Sequence, residues 1–336
     1  LTTLNTQNFV KYCLITCFSL ASWLSVSAQD QSEPKNTLTA SFTKKPLKID
    51  GRLNEVAWEK AEKAKVFTQR ELNMGAPATE RTRAAVVYSQ RFIYIGVWCY
   101  DTNPEGIFAK ALKRDFNSSN DDNFKVILDT YGDDRNGFLF VTNPNGARRD
   151  LQVLNNGNNV NSSWDGVWNV KSRQTAKGWF AELKIPFSTL KYDGDREKQI
   201  WGINFERNIR RKREQVIWQG WSRDYNIRQV SQAGNLNGLD SLLDKDFIEI
   251  KPYSVGGGQF GDEQEGRYDF GGNINYLVTP NLRAQVTVNT DFAQVESDPQ
   301  QINLTRFPLR FPEKREFFLE GRDYFKMGFG GNRIER

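Results

Sequence analysis

Apolar and polar residues alternate most regularly near the end of the 336-residue chain, over residues 268–289. One face of the first arm carries Phe270, Gly272, Ile274, Tyr276 and Val278. After the turn at 279–281, the same face of the second arm carries Leu282, Ala284, Val286 and Val288. Arms of about nine to eleven residues with one apolar and one polar face are typical of transmembrane barrel strands. A hairpin that covers a soluble core shows the same alternation, so both interpretations stay open.

The first 28 residues have the pattern of a secretion signal peptide. Lys11 is the only charge, an apolar run covers 12–26, and small residues at 26–28 form a cleavage pattern. The segment predicts export. Residues 29–46 are polar and rich in Thr, Ser and Lys, which predicts a disordered lead-in.

The middle of the chain has a mainly β pattern. Short strands are predicted at 82–88, 92–100, 124–129, 137–143, 178–185 and 200–210, separated by clusters of Gly, Asn, Asp and Pro. This spacing favours an antiparallel sandwich. A helix is predicted over 54–64, capped by Asn54 or Asp50, with Trp58 turned inward. Residues 232–246 look like a boundary, so the predicted domains are 47–243 and 244–336.

Composition excludes several kinds of chemistry. The chain has no histidine, which excludes a Ser-His-Asp triad, a Cys-His pair and an imidazole zinc site. Removal of the signal peptide leaves Cys99, which we expect to be a buried hydrophobe. The net charge is +5, and its densest basic run, 207–213, fits either a solvated loop or strand edge, or contact with phosphate or an acidic glycan. Nothing indicates a nucleic-acid partner.

Aromatic residues are the first candidate binding groups. The strand at 92–100 places Trp98 and Tyr100 on one face, where they could stack on a sugar ring or be covered by a helix or second sheet. Two tryptophan pairs, Trp164 with Trp168 and Trp218 with Trp221, fit either a sugar clamp or a sandwich core.

Acidic residues form a second, weaker candidate site. Asp121 and Asp122 precede a predicted strand, and Asp129 and Asp133 follow it. Oxygen ligands clustered in loops suit calcium. Turn formation, in which Asp bonds nearby backbone groups, explains the same residues.

Four segments together resemble family 9 carbohydrate-binding modules. They are KIDGRLNEVAWEKA at 48–61, FIYIGVWCYD at 92–101, the strand pair with an acidic turn at 121–150, and GWFAELKIPFSTL at 178–190. The resemblance covers 47–243. It implies a non-catalytic β-sandwich of jelly-roll or immunoglobulin-like type that binds sugars, often beside glycoside hydrolases, and in several members holds calcium. The sugar-sandwiching tryptophan pair of that family has no residue-by-residue match here.

The tail resembles a second family. DFAQVESDPQQINLTRFPLRFPEKREFFLEG, at 291–321, is similar to a segment of poorly characterised outer-membrane proteins of Gram-negative bacteria, in which such a module precedes a large β-barrel. This resemblance implies that 244–336 is the N-terminal part of a barrel. A closed barrel needs at least about eight strands, so we expect the chain to be a fragment.

These observations predict an exported outer-membrane protein that binds a polysaccharide or oligosaccharide and contacts outer-membrane lipid, with envelope proteins as further partners. The predicted sugar-binding residues are Trp98, Tyr100, Arg148, Trp164, Trp218 and Trp221. The weak calcium candidates are Asp121, Asp122, Asp129 and Asp133. One alternative is a transport or assembly protein whose sandwich is a periplasmic docking domain. The other is a glycoside hydrolase that uses two carboxylates.

Overall fold

The structure is a computed structural model that describes residues 34–162, 164–194, 198–240, 242, 248–259, 265–279 and 282–289. Apart from Pro34, these residues belong to one compact unit, Lys35–Arg336. The predicted signal peptide and the tail motif at 291–321 lie outside them. None of the helices in these ranges is long and apolar enough to cross a membrane.

The described residues are mostly β-strand. The strands of the N-terminal part are β1 (Thr37–Thr39), β2 (Ser41–Phe42), β3 (Thr68–Glu71), β4 (Thr82–Tyr88), β5 (Phe92–Tyr100), β6 (Asn123–Asp129), β7 (Gly137–Thr142), β8 (Arg148–Leu154), β9 (Asn159–Asn161), β10 (Asn169–Thr175), β11 (Gly178–Pro186), β12 (Lys198–Ile209), β13 (Glu214–Ile217) and β14 (Gly234–Asp240). The later strands are β15 (Ile248–Gln259), β16 (Glu265–Thr279) and β17 (Leu282–Val288). One α-helix, α1 (Val56–Lys60), and 3₁₀ turns at Pro104–Gly106, Phe187–Thr189, Arg210–Lys212 and Val230–Gln232 complete the described elements.

Two sheets form a sandwich. The larger has the strand order β1-β14-β12-β6-β7-β8-β9, with β13 joined to β12 and β3 joined to β13; the smaller has the order β10-β11-β5-β4-β2. Pairing is antiparallel except between β1 and β14 and between β2 and β4. Side chains from both sheets share one core, including Phe124, Phe140, Trp179, Trp201 and Phe205. The predicted antiparallel sandwich is therefore confirmed.

The bounds of two neighbouring strands of the smaller sheet, β4 and β5, were predicted most accurately. Strands β4 and β5 have the predicted bounds. Both are rich in β-branched and aromatic residues, and a tight turn joins them, so local propensity and tertiary pairing agree. Cys99 is fully buried in the core, as predicted, and burial raises its pKa to about 12.

The prediction that residues 29–46 are disordered is wrong for residues 37–42. These residues form β1 and β2, and Leu38 is only 1% exposed. The predicted boundary at 232–246 likewise contains β14, a sandwich strand that pairs with β1. The sequence pattern predicts Gly234 to be part of a linker. In the structure, a Cβ at this position would lie only 2.6 Å from the carbonyl oxygen of Asn36. Glycine at this position allows the close approach of two strands.

The helix is shorter than the sequence predicted. It covers Val56–Lys60, and its N-cap is Glu55 rather than Asn54 or Asp50. The helix ends because the backbone of Ala61 is extended. The Nζ of Lys63 donates hydrogen bonds to the carbonyl oxygens of Trp58 and Ala61 at 2.8 and 2.9 Å. Trp58 is 1% exposed, as the sequence indicated.

The third sheet contains the predicted hairpin and has the order β15-β16-β17. Ile274 lies opposite both Ile250 and Val286, and all three side chains are exposed. Asn273 lies opposite Thr287 on the other face, and both are half-buried. The pairing and the apolar face predicted for 268–289 are confirmed for these residues. Residues 280–281 of the turn are outside the described ranges.

The incorporation of β1 into the sandwich can be tested with Leu38→Ala. This change removes a buried side chain and should lower the free energy of unfolding by about 2–5 kcal/mol. Thr37→Ala, at an exposed position of the same strand, is the control and should stay within about 0.5 kcal/mol. Urea unfolding of the whole chain in detergent, followed by tryptophan fluorescence, measures both. Equal stability of the two variants would contradict a structural role for β1.

Candidate functional site

A buried carboxylate fixes the segment that precedes α1. Glu182 of β11 accepts hydrogen bonds from the backbone amides of Asp50 and Gly51, both at 2.7 Å, and from Nε1 of Trp58 at 2.9 Å. Its side chain is fully buried. Burial raises the pKa of this carboxyl, although the three donors act in the opposite direction. Glu182 thus attaches the opening motif to the outer face of the smaller sheet.

The attached segment covers only part of that face. At Gly96, a Cβ would lie 2.7 Å from Cδ2 of Leu53 and 2.9 Å from the ring of Trp58, so the cover packs directly on the β5 backbone. Tyr94 is fully buried here. Two residues beyond Gly96 on β5, Trp98 is half-buried, and its ring meets that of Trp58 edge to face with the centroids 6.1 Å apart. The cover therefore ends at Trp98.

An open cleft of about 760 Å³ begins where the cover ends. We call it the aromatic cleft; its lining residues are Arg52, Thr79, Glu80, Arg81, Trp98, Tyr100, Asp101, Thr102, Lys177 and Phe180. Trp98 lies opposite Phe180 in the β5–β11 pairing, and the Tyr100 and Phe180 rings meet at 5.5 Å. All three rings are half-buried. Adjacent strands thus present a continuous aromatic surface.

Two buried carboxylates form the polar end of the aromatic cleft. Glu80 accepts from Nζ of Lys212 at 2.5 Å, from Nη2 of Arg211 at 3.0 Å and from the Thr102 hydroxyl at 2.7 Å. Asp101 pairs with Arg211 and, at 3.4 Å, with Arg207. Both carboxylates are therefore neutralised inside the protein.

The basic run at 207–213 is not simply solvated. Arg207 has no exposed side-chain surface, because β12 carries it beneath the ends of β4 and β5. Its guanidinium donates to the Tyr100 carbonyl at 2.8 Å and to the Thr82 hydroxyl at 3.1 Å. A buried charge of this kind needs compensation, and Asp101 supplies it. Arg210 and Arg213 are exposed, as expected for a solvated turn.

The Glu80 carboxylate of the aromatic cleft is poorly suited to acid catalysis. A glycosidase needs a carboxyl with a raised pKa to protonate the leaving group. Burial acts to raise the pKa of Glu80, but hydrogen bonds from Lys212 and Thr102 outweigh it and hold the pKa below its ordinary value. The arrangement is suited to binding rather than to proton donation.

The structure brings together two of the predicted sugar-binding residues, Trp98 and Tyr100. Phe180, the third ring of the aromatic cleft, was missed by the sequence reasoning. Its signal was available, because Phe180, Glu182 and Lys184 alternate on β11 with core residues. Only the pairing of β11 with β5 reveals that Phe180 lies beside Trp98.

The other predicted sugar-binding residues lie elsewhere. Trp164 packs on Phe138 at 4.9 Å, and Trp218 is 7% exposed in the main core. Trp221 is half-buried against the cluster on the outer face of the larger sheet. Arg148 donates to the carbonyl of Trp168. These residues therefore lie outside the aromatic cleft, and Trp168 and Trp218 are buried.

The four calcium candidates lie at opposite ends of β6. Asp121 accepts from the Ala111 amide at 2.9 Å and from Asn143, and Asp122 accepts from the Arg210 amide at 2.6 Å. At the other end, Asp129 accepts from the amides of Gly132 and Asp134. Asp133 also bonds within its own turn. Within the described ranges no three His, Cys, Asp or Glu side chains cluster as a metal site would require.

Comparisons with known proteins address the two parts of the chain separately. A family model described as a domain of unknown function, DUF5916, matches residues 248–329. No curated protein matches the chain. The fold resembles a crystal structure titled "a putative carbohydrate-binding protein from Bacteroides uniformis ATCC 8492", with 12% identity, a TM-score of 0.51 and coverage of 61% of this chain and 99% of that one.

A second similar structure is a family 9 carbohydrate-binding module from Caldicellulosiruptor kristjanssonii in complex with cellotriose. It is 16% identical, with a TM-score of 0.44, and the match covers 60% of this chain and 93% of that one. The Bacteroides uniformis likeness shows a shared sandwich fold.

The anchoring role of Glu182 has a pH signature. Because the pKa of its carboxyl is raised above the ordinary value of 4.5, the native protein binds this proton more tightly than the unfolded chain does. The part of its stabilising contribution that is linked to this proton is complete below pH 4.5 and is lost as the pH rises through the native pKa. The unfolding free energy of the wild type minus that of Glu182→Gln should therefore decrease with rising pH.

Urea unfolding of both proteins at several pH values measures this difference. Glu59→Gln, at an exposed position of α1, is the control and should change the stability by less than about 0.5 kcal/mol at neutral pH. A difference that grows with pH would show that Glu182 is stabilised as the anion and would contradict the assignment.

Proposed function

We propose that this chain is a non-catalytic carbohydrate-binding protein of the cell envelope and that its sandwich binds sugar in the aromatic cleft. The observation that carries the proposal is the meeting of three half-buried rings, Trp98, Tyr100 and Phe180, beside polar groups in one open cleft. Apolar C–H groups of a pyranose pack on an aromatic face, and the ring edges leave hydroxyls free for polar partners.

The polar groups of the aromatic cleft suit sugar hydroxyls. Thr79 and Thr102 are exposed, and Arg81 lies with its guanidinium carbon 3.9 Å from the Tyr100 ring centroid. The Arg81 guanidinium offers donors. The Thr79 and Thr102 hydroxyl oxygens, whose protons are donated to Glu214 and Glu80, offer acceptors beside an apolar surface, as small-molecule sites require. The resemblance to family 9 modules and the description of the Bacteroides uniformis neighbour, which names carbohydrate binding, agree with this assignment.

The proposal is tested by titrating the whole chain, in detergent, with neutral and acidic oligosaccharides in a calorimeter. Tyr100→Ala removes a ring of the aromatic cleft and should weaken binding by about tenfold or more. Tyr225→Ala, at an exposed position outside the cleft lining, is the matched control and should bind as the wild type does. Absence of binding to every glycan, or equal binding by both variants, would overturn the proposal.

We also propose that residues 244–336 begin an outer-membrane β-barrel and that residues 1–28 direct export. The support is the exposed apolar face of the third sheet, where Ile250, Phe270, Ile274 and Val286 are between 43% and 71% exposed. Exposed apolar surface of this extent marks contact with lipid or protein. The polar opposite face, with Asn273 and Thr287, fits the wet side of a barrel strand.

A docking function for the sandwich is the alternative. It predicts buried tryptophans and no concave aromatic surface. Trp218 is buried, but Trp98 lines the aromatic cleft, which favours sugar binding.

The lipid-facing assignment is tested with Ile274→Lys, and the neighbouring Asn273→Lys on the opposite face is the control. A lysine on the lipid side costs about 2–4 kcal/mol at the bilayer centre and less near the interface, whereas a lumen position tolerates it. Incorporation of the chain into phosphatidylethanolamine and phosphatidylglycerol vesicles, measured by flotation, should fall for Ile274→Lys alone. Equal incorporation of the two variants would contradict the assignment.

A further inference from the structure

The outer face of the smaller sheet carries many cations. Residues directly opposite each other in an antiparallel pair share a face. Arg83 lies opposite Trp98 and Arg173 opposite Phe180. In the next positions Lys171 lies opposite Glu182, and Lys184 belongs to the same face of β11. Among the residues of β4, β5, β10 and β11, the only carboxylate on this face is the buried Glu182.

The aromatic cleft adds two uncompensated cations at its rim. Its own carboxylates, Glu80 and Asp101, already pair with Arg207, Arg211 and Lys212. Arg81 and Lys177 are exposed, and neither forms an ion pair with any residue that the structure describes. Positive charge therefore remains available to a ligand.

A neighbouring lysine shows the effect of this crowding. Nζ of Lys63 lies 5.7 Å from the Trp98 ring centroid and donates to backbone carbonyls. Burial lowers its pKa, and the nearby charges of Arg83 and Lys65 lower it further. An anionic ligand at this face would relieve the repulsion.

We propose that the aromatic cleft binds an acidic polysaccharide, whose pyranose rings stack on Trp98, Tyr100 or Phe180 while a ring carboxylate or sulfate pairs with Arg81 and Lys177. This inference rests on the proposed sugar-binding function and adds the substrate class. Guanidinium groups suit carboxylate and sulfate because their parallel N–H groups match two oxygens.

Single-stranded nucleic acid is an alternative ligand, because its phosphates are negatively charged and its bases stack on aromatic side chains. The acidic glycan is the ligand argued here because the inference rests on the proposed sugar-binding function, and binding of an oligonucleotide is one outcome of the test.

The test is calorimetric titration of the whole chain, in detergent, with hexagalacturonate, an alginate hexamer and a heparin hexasaccharide. Methyl-esterified hexagalacturonate and cellohexaose are the neutral probes, and a single-stranded oligonucleotide of matched charge is the third class. At least one acidic probe should bind about tenfold or more tightly than its neutral counterpart, and its affinity should fall as salt increases.

The double variant Arg81→Gln and Lys177→Gln should reduce the ratio of acidic to neutral affinity by about three- to tenfold. The exposed pair Lys113→Gln and Arg228→Gln, outside the cleft lining, is the control and should leave the ratio unchanged. Equal affinity for acidic and neutral glycans, or equal binding of the oligonucleotide, overturns this inference and leaves the proposed function standing. Failure of every glycan to bind overturns both.

Discussion

The buried carboxylate of Glu182 decides which part of the smaller sheet is covered and which is open. Its bonds to Asp50, Gly51 and Trp58 attach the opening motif to the sheet. The close contact at Gly96 allows this cover to lie directly on the backbone. Because the cover ends at Trp98, the remaining aromatic residues of β5 and β11 form a cleft instead of a second core. One buried polar anchor therefore determines the position of the candidate site.

The charge distribution gives the aromatic cleft its chemical character. Carboxylates lie on its inner wall, but each pairs with cations from the 207–213 segment, which offsets the repulsion of an anion. The outward-facing charges are positive. An aromatic surface with a basic rim and neutralised acids is the arrangement expected of a binding site.

The sequence predicted the parts of the fold in which local and tertiary preferences agree. Strands β4 and β5 follow from their β-branched and aromatic residues and the turn residues beside them, and the hairpin face at Ile274 and Val286 follows from alternation. The sequence did not reveal β1, because Leu38 lies in a polar segment that becomes ordered only by pairing with β14. Sequence reasoning identified Trp98 and Tyr100 as candidate binding residues. It missed Phe180, because the position of this residue beside Trp98 depends on strand pairing. Of the tryptophans that sequence reasoning paired, Trp168 and Trp218 are buried in the core whereas Trp164 and Trp221 are half-buried, since residue type does not distinguish a core position from a surface one.

The most direct test of the central claim is a crystal structure of the chain with a bound oligosaccharide. The account predicts a sugar ring in van der Waals contact, about 4 Å, with the face of Trp98, Tyr100 or Phe180. A sugar seated on Trp221, on Trp164 or on the larger sheet, with the aromatic cleft unoccupied, would contradict it.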